Sequence, residues 1–253
     1  MTCSVCSPAE TILVINGTES RLQVALGSGS GLLWSQELQT PGRAMPYLAP
    51  AVRQGLATCE LDLAALRGIA CVRGPGGFTG LRLTLATTLG LARGSGLPLA
   101  GIDYLPAIAA SVAPLLASEL WVATHARQRM VYLQGFTPVQ GEPFCAPFPA
   151  PLDTALGYLQ RRETALTLVG SGLRRFPEQW TEALPDAVFL PAAWDHPHPQ
   201  TLLRLAEEAE FTQTPPSPLY LRASDAEDNL STIAGKRGLD PDAARQSIPD
   251  FLS

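Results

Sequence analysis

The residues with the most chemical potential lie in one stretch, Arg73-Gly74-Pro75-Gly76-Gly77-Phe78-Thr79-Gly80-Leu81-Arg82. A glycine-rich turn lets the backbone reverse sharply or approach another group closely. Between a strand and a helix it also presents free N–H groups at the helix start, and these favour an anion such as a phosphate. Thr79 is placed to cap that helix with its hydroxyl. An isolated glycine cluster of this kind is more often a tight structural turn that meets no ligand. Two phosphate patterns are excluded. No Gly-Lys-Ser/Thr ending follows, so the stretch is not a P-loop. The dinucleotide pattern Gly-x-Gly-x-x-Gly is met by Gly74 and Gly76, but Gly77 and Gly80 stand at the wrong spacings. A second turn, Gly170-Ser171-Gly172, carries the same two readings. Asp195-His196-Pro197-His198-Pro199 holds two of the three histidines. They are too close for a helical ligand pair, and the prolines predict a solvated loop rather than a metal site. Neither a Gly-x-Ser-x-Gly nucleophile turn nor a His-Glu-x-x-His pair is present.

The first turn needs a strand before it and a helix after it, and the pattern supplies both. Ile69-Ala70-Cys71-Val72 predicts a buried strand, and residues 81–93 predict a helix. That helix is apolar on two sides. Leu81, Leu85, Thr88, Leu89 and Ala92 share one sector, and Leu83, Thr87, Gly90 and Leu91 lie roughly opposite. Such a helix must be covered twice, by its own protein or by a partner. Upstream, residues 11–16, 22–26 and 32–38 predict three strands of an antiparallel meander, broken at Asn16-Gly17 and at the glycine-serine loop 27–31. Residues 46–57 predict a helix with Leu48, Val52 and Leu56 on one face. A strand at 98–102 and a helix at 105–116 follow. A similar later set comprises strands at 120–123, 130–136, 165–169 and 188–190. It also includes a helix from an Asp153 cap to about Arg162, and another at 199–211. The proline-rich 137–151 predicts loop with a short edge strand. The expected class is α/β with mixed sheets.

Bulk properties narrow the function. Of 253 residues, 46% are apolar and 16% charged, a globular balance with room for a sizeable core. The net charge of −5 argues against a large independent nucleic-acid footprint. Five cysteines are widely spread. Cys3-x-x-Cys6 has no second pair to complete a zinc site, and free thiols suit a reducing cytosol. The N-terminus lacks the basic and apolar regions of a signal peptide, and no apolar run approaches the ~20 residues of a membrane span.

The spelling of the glycine block adds to this. Gly74 through Arg82, followed by Leu85-Ala86-Thr87 and Gly90-Leu91-Ala92, closely resembles the TsaB (YeaZ) family signature GPGSFTGLR with LATAKGLA. Pro98-Leu99-Ala100-Gly101-Ile102 with Leu105 resembles the family's IPLVGVSSL. Ala126-Arg127 through Val131-Tyr132 resembles DARRGEVY, and Pro218-Leu219-Tyr220-Leu221-Arg222 resembles PLYLR. The matches as a whole run from about the tenth residue to Arg222. Three positions depart from the family pattern. Asn16 ends the first strand where an aspartate is usual, Ala44 stands near an expected histidine, and His125 replaces the aspartate of the DAR block.

The resemblance implies the two-lobed actin-like ATPase and sugar-kinase (ASKHA) fold, with lobes at 1–103 and 104–222 and a tail at 223–253. It implies a non-catalytic scaffold or dimerisation subunit of the complex that makes threonylcarbamoyladenosine beside the tRNA anticodon. The expected partners are the TsaD transferase subunit and the small ATPase TsaE, with a homodimer when alone and tRNA met through the complex. It implies no catalytic residue, metal or cofactor, and a cytoplasmic location. The partner face falls on the helices at 46–57 and 81–93, with Leu48, Val52, Leu83, Thr87 and Gly90. Two rivals remain: an ATP-dependent phosphotransferase using the turns at 74–80 and 170–172, and a peptidase. Asn16 weighs against the first, because it cannot supply the charge that positions a metal in ATP-using relatives of the fold.

Overall fold

The computed structural model describes residues 7–40 and 44–222. Three strands form the expected meander: β1 (Ile12–Asn16), β2 (Arg21–Gly27) and β3 (Leu32–Gln39), with Asn16 opposite Gln23. The other edge of β1 takes β4 (Gly68–Gly74) in parallel, and β4 takes β5 (Leu99–Asp103), giving the order β3-β2-β1-β4-β5. The second sheet contains β6 (Glu119–Arg127), β7 (Met130–Phe136), β8 (Phe148–Pro151), β9 (Leu166–Val169) and β10 (Val188–Phe189). Its order β8-β7-β6-β9-β10 repeats the first, antiparallel on one side of the central strand and parallel on the other. Two mixed sheets of one order and one set of directions are the duplicated architecture of the actin-like ATPase and sugar-kinase fold.

Both faces of the first sheet are covered, which is why all five residues of β1 are buried. Leu13, Ile15, Val24, Leu26 and Ile69 pack with Leu48, Ala51 and Val52 of α1 (Met45–Thr58) and Ala92 of α2 (Phe78–Ser95). The alternate residues Ile12, Val14, Ala70 and Val72 are buried too. The elements contributing to their side of the molecule are α3 (Tyr104–Val112) and α6 (Pro199–Glu208). Although α6 follows the second sheet in sequence, it packs on β1, β2 and β5. The second core gathers Trp121, Leu133 and Leu168 with Leu156 of α4 (Leu152–Leu159) and Trp180 of α5 (Pro177–Ala183).

Several helix ends fall short of the sequence pattern. The helix expected to reach residue 116 stops at Val112 and passes into a 3-10 turn, Ala113–Leu115, because Pro114 has no N–H to continue the ladder. Asp153 is not a cap. Pro151 occupies that position, and Asp153 in the first turn pairs with Arg129 at 3.1 Å. The described residues up to Leu219 form one compact unit containing both sheets, and Tyr220, Leu221 and Arg222 beyond it carry no helix or strand. The pair Cys3 and Cys6 and the tail at 223–253 lie outside the described residues. Among the described residues, no helix is long and apolar enough to cross a membrane.

Candidate functional site

β4 leads into the glycine turn and α2 leads away from it. Gly74 has φ +119°, a conformation costly for any side chain, and a Cβ there would lie 2.8 Å from the Leu219 carbonyl oxygen. A Cβ on Gly76 would lie 2.5 Å from the Thr18 carbonyl oxygen, and one on Gly80 would collide with the Gly17 carbonyl. The Gly77 N–H donates to Thr18 O at 2.9 Å. The start of α2 is therefore covered by the β1–β2 turn, and close backbone packing accounts for Gly76 and Gly80. Pro75 is buried within the turn. Thr79 does not cap the helix. Gly77 is the N-cap, α2 begins at Phe78, and Thr79 is exposed inside the first turn. Arg82 stacks over the Phe78 ring, 5.1 Å from its centroid.

The β1–β2 turn is built on Asn16, which is 1% exposed. Its Nδ2 donates to Gln23 Oε1 at 2.7 Å, and its Oδ1 accepts the Thr18 N–H at 3.0 Å. Gln23 Nε2 in turn donates to the Pro197 carbonyl at 2.8 Å. An amide both donates and accepts here, whereas an ionised carboxylate only accepts.

A buried polar cluster lies between the two sheets, and the sequence pattern did not reveal it. Glu19 lies in the β1–β2 turn. Its Oε1 accepts from Ser171 Oγ at 2.5 Å, and its Oε2 accepts from the Tyr104 hydroxyl at 2.8 Å. That hydroxyl is also 2.8 Å from His196 Nδ1. Burial pushes the Glu19 carboxyl up to about 7, with the Asp195 charge adding to it against the two hydroxyl bonds. Burial first, and Arg21 second, hold His196 down at about 4, with Asp195 and Glu37 opposing. Burial chiefly raises the Tyr104 hydroxyl well above its ordinary value, helped by Glu19. Ser171 Oγ also accepts the His125 N–H at 2.9 Å, so the second glycine turn is linked to β6 as well. The His125 ring is pushed towards its neutral form by burial and by Arg175.

The segment around residue 195 is not a solvated loop. Asp195 is 4% exposed. It accepts from Arg174 through both oxygens, at 2.8 and 2.9 Å, and from the Gly170 N–H at 3.1 Å. The prolines fold this segment inward, and its carboxylate is the anchor of the second glycine turn. His198 is exposed and accepts the Gln200 N–H at the start of α6. Among the described residues, no three His, Cys, Asp or Glu side chains gather as a metal site. The signal for the cluster is weak in sequence because Glu19 is 85 residues from Tyr104 and 152 from Ser171.

The two helices on the outer face of the first sheet differ from expectation in one respect. Leu48 and Val52 are 1% and 3% exposed and belong to the core, so they cannot form a free surface. Their stripe is the face that α1 turns to β2 and β3. The exposed residues of α1 include Met45 and Tyr47, at 71% and 47%. In α2, Leu81, Thr84, Thr88 and Ala92 are buried, and Leu83 and Thr87 are half-buried, with Leu83 packed on the same core. Arg82, Ala86, Gly90 and Arg93 are exposed, and a Cβ on Gly90 would meet nothing within 4 Å.

Comparison with known proteins places this geometry. The family model of TsaD, the tRNA N6-adenosine threonylcarbamoyltransferase, matches residues 46–143. An uncharacterised protein of Mycobacterium leprae is 31% identical over 195 residues, which cover 74% of this chain and 48% of that protein. The tRNA threonylcarbamoyladenosine biosynthesis protein TsaB of Escherichia coli is 33% identical over 98 residues, 39% of this chain and 42% of that one. The chain thus matches about half the length of these curated relatives. The crystal structure of YeaZ from Pseudomonas aeruginosa superposes with a TM-score of 0.67 at 26% identity, covering 83% of this chain and 99% of that one. A second structure from the same organism, described as similar to the peptidase YEAZ, also gives 0.67 at 25% identity, covering 84% and 99%. With the repeated sheet order and the glycine block in place between β4 and α2, the chain is similar in fold, over most of its length, to the YeaZ structures, and in sequence, over a shorter stretch, to TsaB.

Proposed function

We propose that this chain is a non-catalytic subunit of the machinery that makes threonylcarbamoyladenosine in tRNA, and that it acts by binding and supporting a TsaD-type transferase. A role in this pathway is supported by the likeness to the Escherichia coli TsaB protein and to YeaZ. The observation that carries the partner-binding reading is the outer strip of α2, where Ala86 and Gly90 are exposed and the space above Gly90 is open. Glycine inside a helix costs ~1 kcal/mol relative to alanine, and a partner helix that approaches closely would offset that cost. Met45 and Tyr47 are exposed apolar residues on α1. The partner face is accordingly Gly90 with its exposed neighbours, flanked by Leu83 and Thr87. Without a partner, the same strip would join two copies of the chain.

The other roles follow from this assignment. TsaE joins the pair, and tRNA is met mainly through the transferase, in keeping with the charge of −5. The lobes divide at 103/104, with 223–253 as a tail. The protein works in the cytoplasm, where the thiols Cys71 and Cys145 stay reduced. The engagement of Asn16, Gly77 and Gly170 with protein groups supports a non-catalytic role over phosphotransfer.

Reconstitution tests the proposal. The transferase homologue, the small ATPase, the enzyme forming threonylcarbamoyl-AMP, tRNA and their substrates are combined with and without this chain. Modification is expected only with it, and the chain alone should not hydrolyse ATP. Equal modification without it would overturn the reading, as would magnesium-dependent turnover by the chain alone that disappears on altering Gly76.

A further inference from the structure

Glu19 joins the two glycine turns. It follows Gly17 and Thr18, which press on Gly80 and Gly76, and its Oε1 accepts from Ser171 in the second turn. Its Oε2 meets the Tyr104 hydroxyl, which also lies 2.8 Å from His196 Nδ1. A hydroxyl has one proton to give. When Tyr104 donates to an ionised Glu19, the second contact requires His196 to donate from Nδ1. When Glu19 is protonated at Oε2, it donates to Tyr104, Tyr104 donates to Nδ1, and the neutral imidazole carries its proton on Nε2. Each contact holds one proton in either arrangement. Glu19 can therefore take up a proton without the loss of a hydrogen bond, while a buried negative charge beside Asp195 disappears.

We propose that Glu19, Ser171, Tyr104 and His196 form a proton-responsive clasp joining the two glycine turns, with Glu19 as its proton-accepting member and His196 as its counterweight. This holds independently of the partner assignment. The charged and titratable groups facing the clasp come from several elements. Glu19 faces Asp195, which is paired with Arg174, and lies 3.8 Å from His196 Nδ1. His196 faces Arg21 and Glu37, themselves paired at 2.9 Å, and Asp195. Tyr104 faces Glu19, Asp195 and Arg21.

The two titrations act in opposite directions. Folded Glu19, at about 7 against an ordinary 4.5, keeps a proton that the unfolded chain releases. Its stabilising contribution is full below 4.5 and is lost as pH rises to about 7. Folded His196, at about 4 against 6.5, refuses a proton that the unfolded chain accepts. Its contribution is full above 6.5 and is lost as pH falls towards 4. Between 4.5 and 6.5 the two slopes oppose each other, so the clasp adds little net pH dependence to the wild type.

Urea unfolding of wild type, Glu19→Gln and His196→Gln between about pH 4.5 and 7.5 tests this. Relative to wild type, the folding equilibrium of Glu19→Gln should improve about tenfold per pH unit from 4.5 to 7. That of His196→Gln should improve about tenfold per unit in the other direction, as pH falls from 6.5. A pH-independent difference in both variants overturns the clasp, since a purely structural role would produce that result. Should a variant fail to fold, carboxyl-carbon NMR of the glutamate-labelled wild-type chain reads the same claim. One glutamate should titrate near 7, and its midpoint should rise further in Tyr104→Phe, which removes a bond favouring the charged form. A spectrum in which every glutamate titrates in the ordinary carboxylate range overturns the proposal.

Discussion

Asn16 uses both ends of its amide, one on Gln23 and one on the backbone of the β1–β2 turn that covers the glycine block. Asn16→Asp should therefore not recover a metal-positioning carboxylate. It should place an uncompensated charge against the Gln23 oxygen, and turning Gln23 over would sacrifice its bond to Pro197. The expected cost is about 2–4 kcal/mol at neutral pH, read by urea unfolding. A variant as stable as wild type would mean that the donor half of the amide is dispensable. Residue types were legible at this scale where the geometry is local: the glycines of the first turn are needed where the backbone crowds Thr18 and Gly17. Asp195 and His196 were misread because composition describes a segment's average surroundings. Their partners Gly170, Arg174 and Tyr104 come from other parts of the chain.

Two glycines inside helices separate the inner and outer faces of the elements. Gly55 lies on the buried side of α1, where a Cβ would sit 2.6 Å from the Trp34 ring, while Gly90 on α2 opens to free space. Gly55→Ala should destabilise the chain by about 1–3 kcal/mol despite alanine's better helix propensity. Gly90→Ala should stabilise it by about 0.5–1 kcal/mol. Thermal melts of the two variants check the assignment, and the reverse order would contradict it. Periodicity located both helices to within a few residues. It did not distinguish a core stripe from a partner stripe, because both are apolar at the same spacing. Leu48 and Val52 illustrate that ambiguity, since the sheet covers them. The two apolar sectors of α2 have a related explanation: Leu83, Leu89 and Leu91 reach the same core from its flanks, so one wide sheet covers much of both.

Across the whole molecule, the repeated strand order was visible in sequence only as two similar sets of elements. The second copy has residues 137–147 between β7 and β8, and its α6 returns to the first sheet, so spacing alone hides the duplication. Long-range packing also leaves α2 with a buried side that serves its own sheet and an exposed side with Ala86 and Gly90. The central claim is that this exposed side receives the transferase. Calorimetric titration of the purified chain with its cognate TsaD homologue, comparing wild type with Gly90→Arg, tests that claim most directly. The open space at Gly90 predicts a folded variant with an unchanged circular-dichroism spectrum. At the interface, overpacking and an unpaired buried charge should cost at least ~3 kcal/mol, more than a hundredfold in affinity. Loss of binding by the folded variant is the predicted result; wild-type affinity in Gly90→Arg would contradict the account.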